Sequence, residues 1–299
     1  MNKKTKKIVI VVSIVAICLF LWNFSSNEPV CNKCYELKRI AEPHVPEQSI
    51  HKPHFPIERM HYRARVPKFQ KECEDFLYGD EIVSGKSQVG QDAFLFWNFF
   101  ANSISGTYID IGSNHYEILS NTWVFDNCLH WKGYCIEPNS EYADVYPLSR
   151  SCSYQNICIW KENGLMNFDA FGVVGKVSST GKNIVQCKRL ETFLDDEEIL
   201  NVDFISLDIE GAELEVLRSF PFHKYNIRFF LIETFWIDQL TLDEIMNDAG
   251  YAKIANLAHD DLYEKMKNPP RYNAPGIVES RKDHHSFRLA MRNESKVVC

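Results

Sequence analysis

Residues 202–217 read VDFISLDIEGAELEVL. Phe204–Asp208 is a short apolar run of the kind that fills a buried strand. After Gly211 the chain turns into a helical pattern over 212–219. An apolar strand that ends in acids and passes straight into a helix is half of a β-α-β unit. The same pattern recurs outward along the chain. Thr107–Ile111 (TYIDI), Tyr134–Glu137 (YCIE), Tyr154–Ile159 (YQNICI) and Phe229–Glu233 (FFLIE) each read as a buried strand. Helical patterns fall at 117–130, 140–148 and 240–249. Strands that are continuously apolar, separated by helices, belong to a mostly parallel sheet covered on both faces. The spacing therefore predicts a doubly wound α/β domain.

Ligands of such sheets bind beyond the carboxyl ends of the strands. Those ends carry Asp110, Glu137, Asp208 with Glu210, and Glu233. A strand-end carboxylate is costly unless it is satisfied. Helix N-capping accounts for one or two of them, and a shared polar crevice for the set. Glu137 closes the second strand, placed to accept both hydroxyls of a nucleoside ribose. The G-x-G-x-x-G loop of dinucleotide sites is absent. Gly112 is followed instead by Ser113, Asn114, His115 and Tyr116, with no dense ring of backbone N–H groups for a pyrophosphate. A nucleoside ligand without phosphate, such as S-adenosylmethionine, fits better.

Over roughly residues 85–265 the chain resembles the FkbM-type methyltransferases, a Rossmann-like branch that uses S-adenosylmethionine. The resemblance rests on Ser87-Gln88-Val-Gly90-Gln91-Asp92, YIDIGSNHYEILSNT from Tyr108, WKGYCIEPN from Trp131, and VDFISLDIEGAELEVL from Val202. Asn156, Glu162-Asn-Gly164 and Asp260-Asp261-Leu-Tyr263 add to it. It implies a Rossmann-like methyltransferase sheet and a set of roles. Asp110, Gly112 and Asn114 form the first cofactor loop. Glu137 holds the ribose, and Asn156 or its neighbours border the adenine. Gln88, Gln91 and Asp92 lie over the cofactor. Asp208 and Glu210 face the sulfonium methyl and the acceptor. The sequence departs from many relatives at His115 and Tyr116, where a second small residue is usual.

Methyl transfer to a hydroxyl needs orientation and a base. Asp208, Glu210 and His115 are the catalytic candidates, His115 having the most suitable ordinary pKa. Glu213 stands one helical turn past Glu210, where it offsets the helix dipole. No metal-ligand set is assigned, and metal dependence is left open.

The 299 residues carry a net charge of −7 and 10 cysteines. An acidic chain lacks the basic face that nucleic acid requires, and 45% apolar content exceeds that of a disordered chain. The charge is uneven. Residues 1–24 hold Lys3, Lys4, Lys6 and Lys7 and no acid, leaving 29 basic against 40 acidic residues, −11, for the rest. The lysines form a tip at 1–7. The apolar run Ile8–Trp22 that follows is extended by Asn23 and Phe24. As a helix its fifteen residues span about 22 Å, short of the roughly 30 Å hydrocarbon core. With snorkelling lysines it makes a short anchor at 8–24. It lacks the small-x-small ending of a cleaved signal peptide. The positive-inside rule then gives a type II orientation, with the catalytic domain in the Golgi or ER lumen.

Residues 25–69 hold six of the 12 prolines and read as a stem. The catalytic domain is expected over 70–299. Cys31 and Cys34 lie in the stem, where a disulfide-linked dimer is expected. Cys135 and Cys158, on neighbouring expected strands, read as either a bridge or two buried thiols. Asn293-Glu-Ser295 is the better of two glycosylation sequons.

The expectation is a membrane-anchored, S-adenosylmethionine-dependent methyltransferase whose acceptor is a hydroxyl, in context a glycan's. Two rivals remain: a type II glycosyltransferase in which Asp208 and Glu210 hold a metal and a nucleotide sugar, and a non-catalytic ectodomain of the same fold.

Overall fold

The computed structural model describes residues 64–79, 83–101, 103, 105–171 and 174–267. The tip, the anchor at 8–24, the stem up to residue 63 and the tail after Lys267 lie outside them. Among the described residues no helix is long and apolar enough to cross a membrane. Packing begins within the expected stem: Ala64 and Phe69 are buried in the core.

Helices α1 (Gln70–Tyr78) and α2 (Gln91–Leu95) precede strand β1 (Thr107–Ile111). Helix α3 (Trp123–Asn127) leads to β2 (Lys132–Ile136), and α4 (Tyr146–Ser149) to β3 (Ser153–Gln155). Strands β4 (Cys158–Ile159), β5 (Gly164–Phe171), β6 (Val174–Val177) and β7 (Asn183–Lys188) follow with no helix between them. Helix α5 (Leu190–Asp196), β8 (Asn201–Leu207), α6 (Glu213–Leu217), β9 (Asn226–Glu233) and α7 (Gln239–Asp248) then alternate. A hairpin of β10 (Tyr251–Leu257) and β11 (Asp260–Lys265) ends the described fold.

The larger sheet has the order β10-β11-β9-β8-β1-β2-β3. Its five strands from β9 to β3 run parallel. Strand β11 lies antiparallel between β9 and β10. The sheet is therefore mixed and parallel-rich. Alternation along the strands feeds two cores. Tyr108, Phe204, Phe229 and Leu231 point to one, with Phe76, Phe100, Trp123 and Phe125. Ile109, Ile111, Ile205, Leu207 and Ile232 point to the other, with Phe193, Leu217, Leu242 and Met246. Both faces are thus covered, as continuously apolar strands require. Phe204 sits 4.8 Å from the Phe125 ring and 6.1 Å from those of Phe100 and Tyr108. Truncating such a side chain costs about 3–5 kcal/mol.

Three elements differ from the sequence reading. The helix expected over 117–130 shrinks to α3. Asn114 and Leu119 adopt left-handed φ of 48° and 62°, and the Glu117 and Ile118 N–H groups donate to His115 Nδ1, so the chain cannot wind before Thr122. The helix over 140–148 divides into a 3-10 turn, Ser140–Tyr142, and α4, because Pro147 has no N–H to give and is tolerated only in a first turn. The strand over 154–159 changes sheets. Strand β3 pairs with β2, whereas β4 pairs with β7 in a second sheet of order β4-β7-β5-β6.

That change of sheet corrects the cysteine reading. Cys135 and Cys158 are neither bridged to each other nor free. Cys135 bonds Cys152, Cys158 bonds its register partner Cys187, and Cys73 bonds Cys128.

Candidate active site

The chain proceeds outward from β1 to β2 and β3, then returns to β8 on the other side of β1. The strand order reverses between β1 and β8, and such a switch point opens a crevice at the carboxyl ends. The crevice is walled by Gly112, Asn114, Ile136–Asn139, Cys158–Trp160, Phe168, Ala170, Gly175–Val177, Asp208–Glu210 and Ala212.

Gly112 pins its two sides together. Its N–H donates to Ile136 O at 2.9 Å, and Asp208 N–H donates to Ile111 O at 3.0 Å. Gly112 has φ +77°, and a Cβ there would stand 1.7 Å from the Asp208 carbonyl oxygen. Only glycine fits, and its bare backbone leaves the crevice floor open.

Glu137 is 6% exposed. Its Oε1 accepts from Asn139 N–H at 2.7 Å and its Oε2 from Asn114 N–H at 2.8 Å. One amide per oxygen fixes the carboxylate and leaves further lone pairs on each. Burial, against those two hydrogen bonds, pushes its pKa up to about 7. Asn114 serves the loop by its amide, and Asn156 donates from Nδ2 to the Glu137 carbonyl at 2.8 Å. Asn156 itself is outside the crevice wall; its neighbours Cys158–Trp160 line it.

Asp110 is buried and turned away from the crevice wall. It accepts from Thr122 Oγ1, which in turn accepts from Arg150. Arg150 is a buried hub that the sequence reading missed. It donates to Asp126 at 2.7 Å, to Thr122 at 2.7 Å, and to Ser120 and Tyr108 at 3.1 Å. The first loop is thereby braced from behind.

The N-terminal candidates are also placed away from the crevice. Gln88 is exposed. Asp92, fully buried, accepts from Ser84, Lys86, Ser87 and Ala93 and closes its own loop. Gln91 reaches Asp260, donating from Nε2 to Oδ2 at 2.6 Å.

At the β8 end, Asp208 and Glu210 both line the crevice. Glu210 takes φ +57° and accepts from Trp236 Nε1 at 2.8 Å. Burial raises its pKa, opposed by that bond and by Lys176. Burial, then Glu233 and Asp260, holds the Asp208 carboxyl well above the usual range. Burial, with Glu210 and Glu213 beside it, pushes Glu233 up to about 8. Asp260 stands directly opposite Glu233 across the β9–β11 pair, and burial takes it to about 6.

His115 does not join this group. Its Nδ1 accepts two backbone N–H groups at 3.1 and 3.0 Å, so in the neutral ring the proton sits on Nε2 and no free lone pair is left for a base. Burial also lowers its pKa. Its ring stacks 4.1 Å from Tyr116.

The small sheet was equally unforeseen. Phe168, Ala170 and Lys176 reach the crevice from β5 and β6. The alternation Met166, Phe168, Ala170 was its one signal.

A parallel-rich sheet with a bare glycine turn and a braced strand-end glutamate at its switch point is consistent with the Rossmann-like methyltransferase fold. In comparison with family models, residues 110–253 match the methyltransferase FkbM domain. No curated protein and no solved structure matches the chain.

Proposed function

We propose that the protein is an S-adenosylmethionine-dependent O-methyltransferase acting on a glycan hydroxyl in the secretory pathway. The observation that carries the cofactor is Glu137. It lines the crevice, buried, with each oxygen fixed by one amide and able to accept one ribose hydroxyl more. The bare backbone of Gly112 and the low polarity of Ile136, Ile159 and Phe168 suit a nucleoside. The bound cofactor would supply an electrophilic methyl on a sulfonium.

The chain's own residues do the rest. Gly112 and Glu137 orient the cofactor, and the small sheet screens it from water. Asp208 stands at the opposite lip, where burial, then Glu233 and Asp260, raises its proton affinity, and it is the candidate to take the proton of the acceptor hydroxyl. Glu210 is held by Trp236 and shapes the acceptor side. Phe235 and Trp236 are 51% and 59% exposed beside it, an aromatic surface against which the C–H face of a sugar can pack. Three disulfides among the described residues support an oxidising compartment. The anchor, the stem and a stem-linked dimer rest on sequence alone.

Calorimetric titration of the full chain with S-adenosylmethionine tests the reading. Binding is expected, with Glu137→Ala weakening it at least about tenfold, or 1.4 kcal/mol. Absence of binding, or an indifferent variant, overturns it. Labelled methyl transfer to a glycan pool tests the acceptor class.

A further inference from the structure

The carboxylates beyond β8 and β9 are more numerous than methyl transfer requires. Asp208 follows β8, Glu233 ends the adjacent parallel strand β9, and Glu213 opens helix α6 between them. One carboxylate oxygen from each lies within 4.8 Å of the other two. We propose that Asp208, Glu213 and Glu233 bind one hard divalent cation, of the Mg²⁺, Mn²⁺ or Ca²⁺ type, at the wall of the crevice.

Crowded acids alone would not carry this; the orphaned oxygens do. Glu213 is 0% exposed. Its Oε1 accepts from Ile209 N–H at 2.8 Å and Gly211 N–H at 3.3 Å. Its Oε2 is buried with no hydrogen-bond partner, and so is Oε2 of Glu233. A buried, unpartnered carboxylate oxygen is costly. Asp208 and Glu233 are within hydrogen-bonding reach of each other, a contact between carboxyls that needs a proton between them, and a cation shared by all three would take that proton's place and also meet the orphaned oxygens. Among the described residues no lysine, arginine or histidine forms an ion pair with any of the three.

The surroundings resemble the support that metal ligands receive. The Ile209 and Gly211 amides clamp one oxygen of Glu213 and so fix the direction of the other. Gln91 holds Asp260, opposite Glu233, where its carboxyl adds negative potential without being needed as a ligand. An all-carboxylate set with no histidine or thiolate selects hard cations over zinc or copper. Three carboxylates leave further coordination positions for water or for an acceptor hydroxyl oxygen, which a cation would polarise. That last use rests on the methyltransferase reading; the binding does not.

The probe is Mn²⁺ alone. Full-length chain, stripped with chelator, is titrated while the electron paramagnetic resonance signal of free Mn²⁺ is followed. One Mn²⁺ per chain is expected, displaced by excess Mg²⁺ or Ca²⁺. Glu213→Gln and Glu233→Gln should each weaken binding at least about tenfold. Glu215→Gln, on the same helix but paired with Lys161 at 3.1 Å, should bind as wild type does. Circular dichroism confirms that each variant is folded. Three results overturn the site: no loss of free Mn²⁺ with folded wild type, unchanged affinity in both carboxamide variants, or equal weakening by Glu215→Gln. Cofactor titration without metal is a separate measurement, so failure of either leaves the other standing.

Discussion

At the scale of single residues, Glu137 shows how position and environment divide the work between sequence and structure. Its place at a strand end was legible, because an acid closing an apolar run has few uses. Its clamp by Asn114 and Asn139 was not, since backbone amides leave no trace in side-chain chemistry. His115 shows the converse. Its ordinary pKa made it an attractive base, but two amides occupy its acceptor nitrogen. The clamp on Glu137 has a pH signature with two opposite signs. Its folded pKa of about 7 exceeds the ordinary carboxylate value of 4.5. The stability this shift contributes is full below pH 4.5 and is lost as pH rises through 7, by up to about 1.4 kcal/mol per pH unit. Cofactor hydroxyls, in contrast, need the ionised form, so affinity should rise through the same window. Urea unfolding and cofactor titration between pH 5 and 8, each against Glu137→Gln, separate the two. A flat affinity profile in the wild type would remove the ribose role.

At the scale of elements, the parallel strands were readable from their apolar continuity, and β1 falls where the pattern put it. The switch of chain from β3 to β4 was not readable, because the apolar run resumes at Ile157 immediately after Gln155 and Asn156, with no turn residue to mark a change of sheet. Arg150 was missed for a related reason: its partner Asp126 is 24 residues away, and nothing local marks the pair. Yet the hub joins α3, α4 and the loop after β1, and it reaches Asp110 through Thr122. Arg150→Met would leave the buried Asp126 carboxylate with only Ser151 and the more distant Arg65 at 3.7 Å, and breaking such a buried pair costs up to about 3–5 kcal/mol. Equilibrium urea denaturation should show a loss of that size. Arg150→Lys, which keeps the charge but not the fork, should lose less. A loss within about 0.5 kcal/mol for Arg150→Met would mean that the hub is not a brace.

At the scale of the molecule, three disulfides among the described residues tie elements that the hydrophobic cores also join. Cys73–Cys128 fastens α1 to the end of α3 across 55 residues. Cys135–Cys152 ties β2 to the entry of β3, and Cys158–Cys187 fixes the small sheet that walls the crevice. In the chain-entropy account, loops of these lengths contribute about 3–4 kcal/mol each. Their sum is comparable with the whole stability of an ordinary domain, roughly 5–15 kcal/mol. A chain built this way should not reach its fold in a reducing compartment. Refolding from denaturant should recover cofactor binding with an oxidising glutathione couple and fail with excess thiol. Peptide mapping of the refolded chain should return these three pairings. A Cys135–Cys158 link would place β4 beside β2 after all, remove the small sheet from the crevice, and leave the cofactor wall without Phe168 and Ala170. Recovery of binding under thiol would show that the cores alone hold the site, and the case for a luminal domain would then rest on the N-terminal lysines and the apolar run behind them.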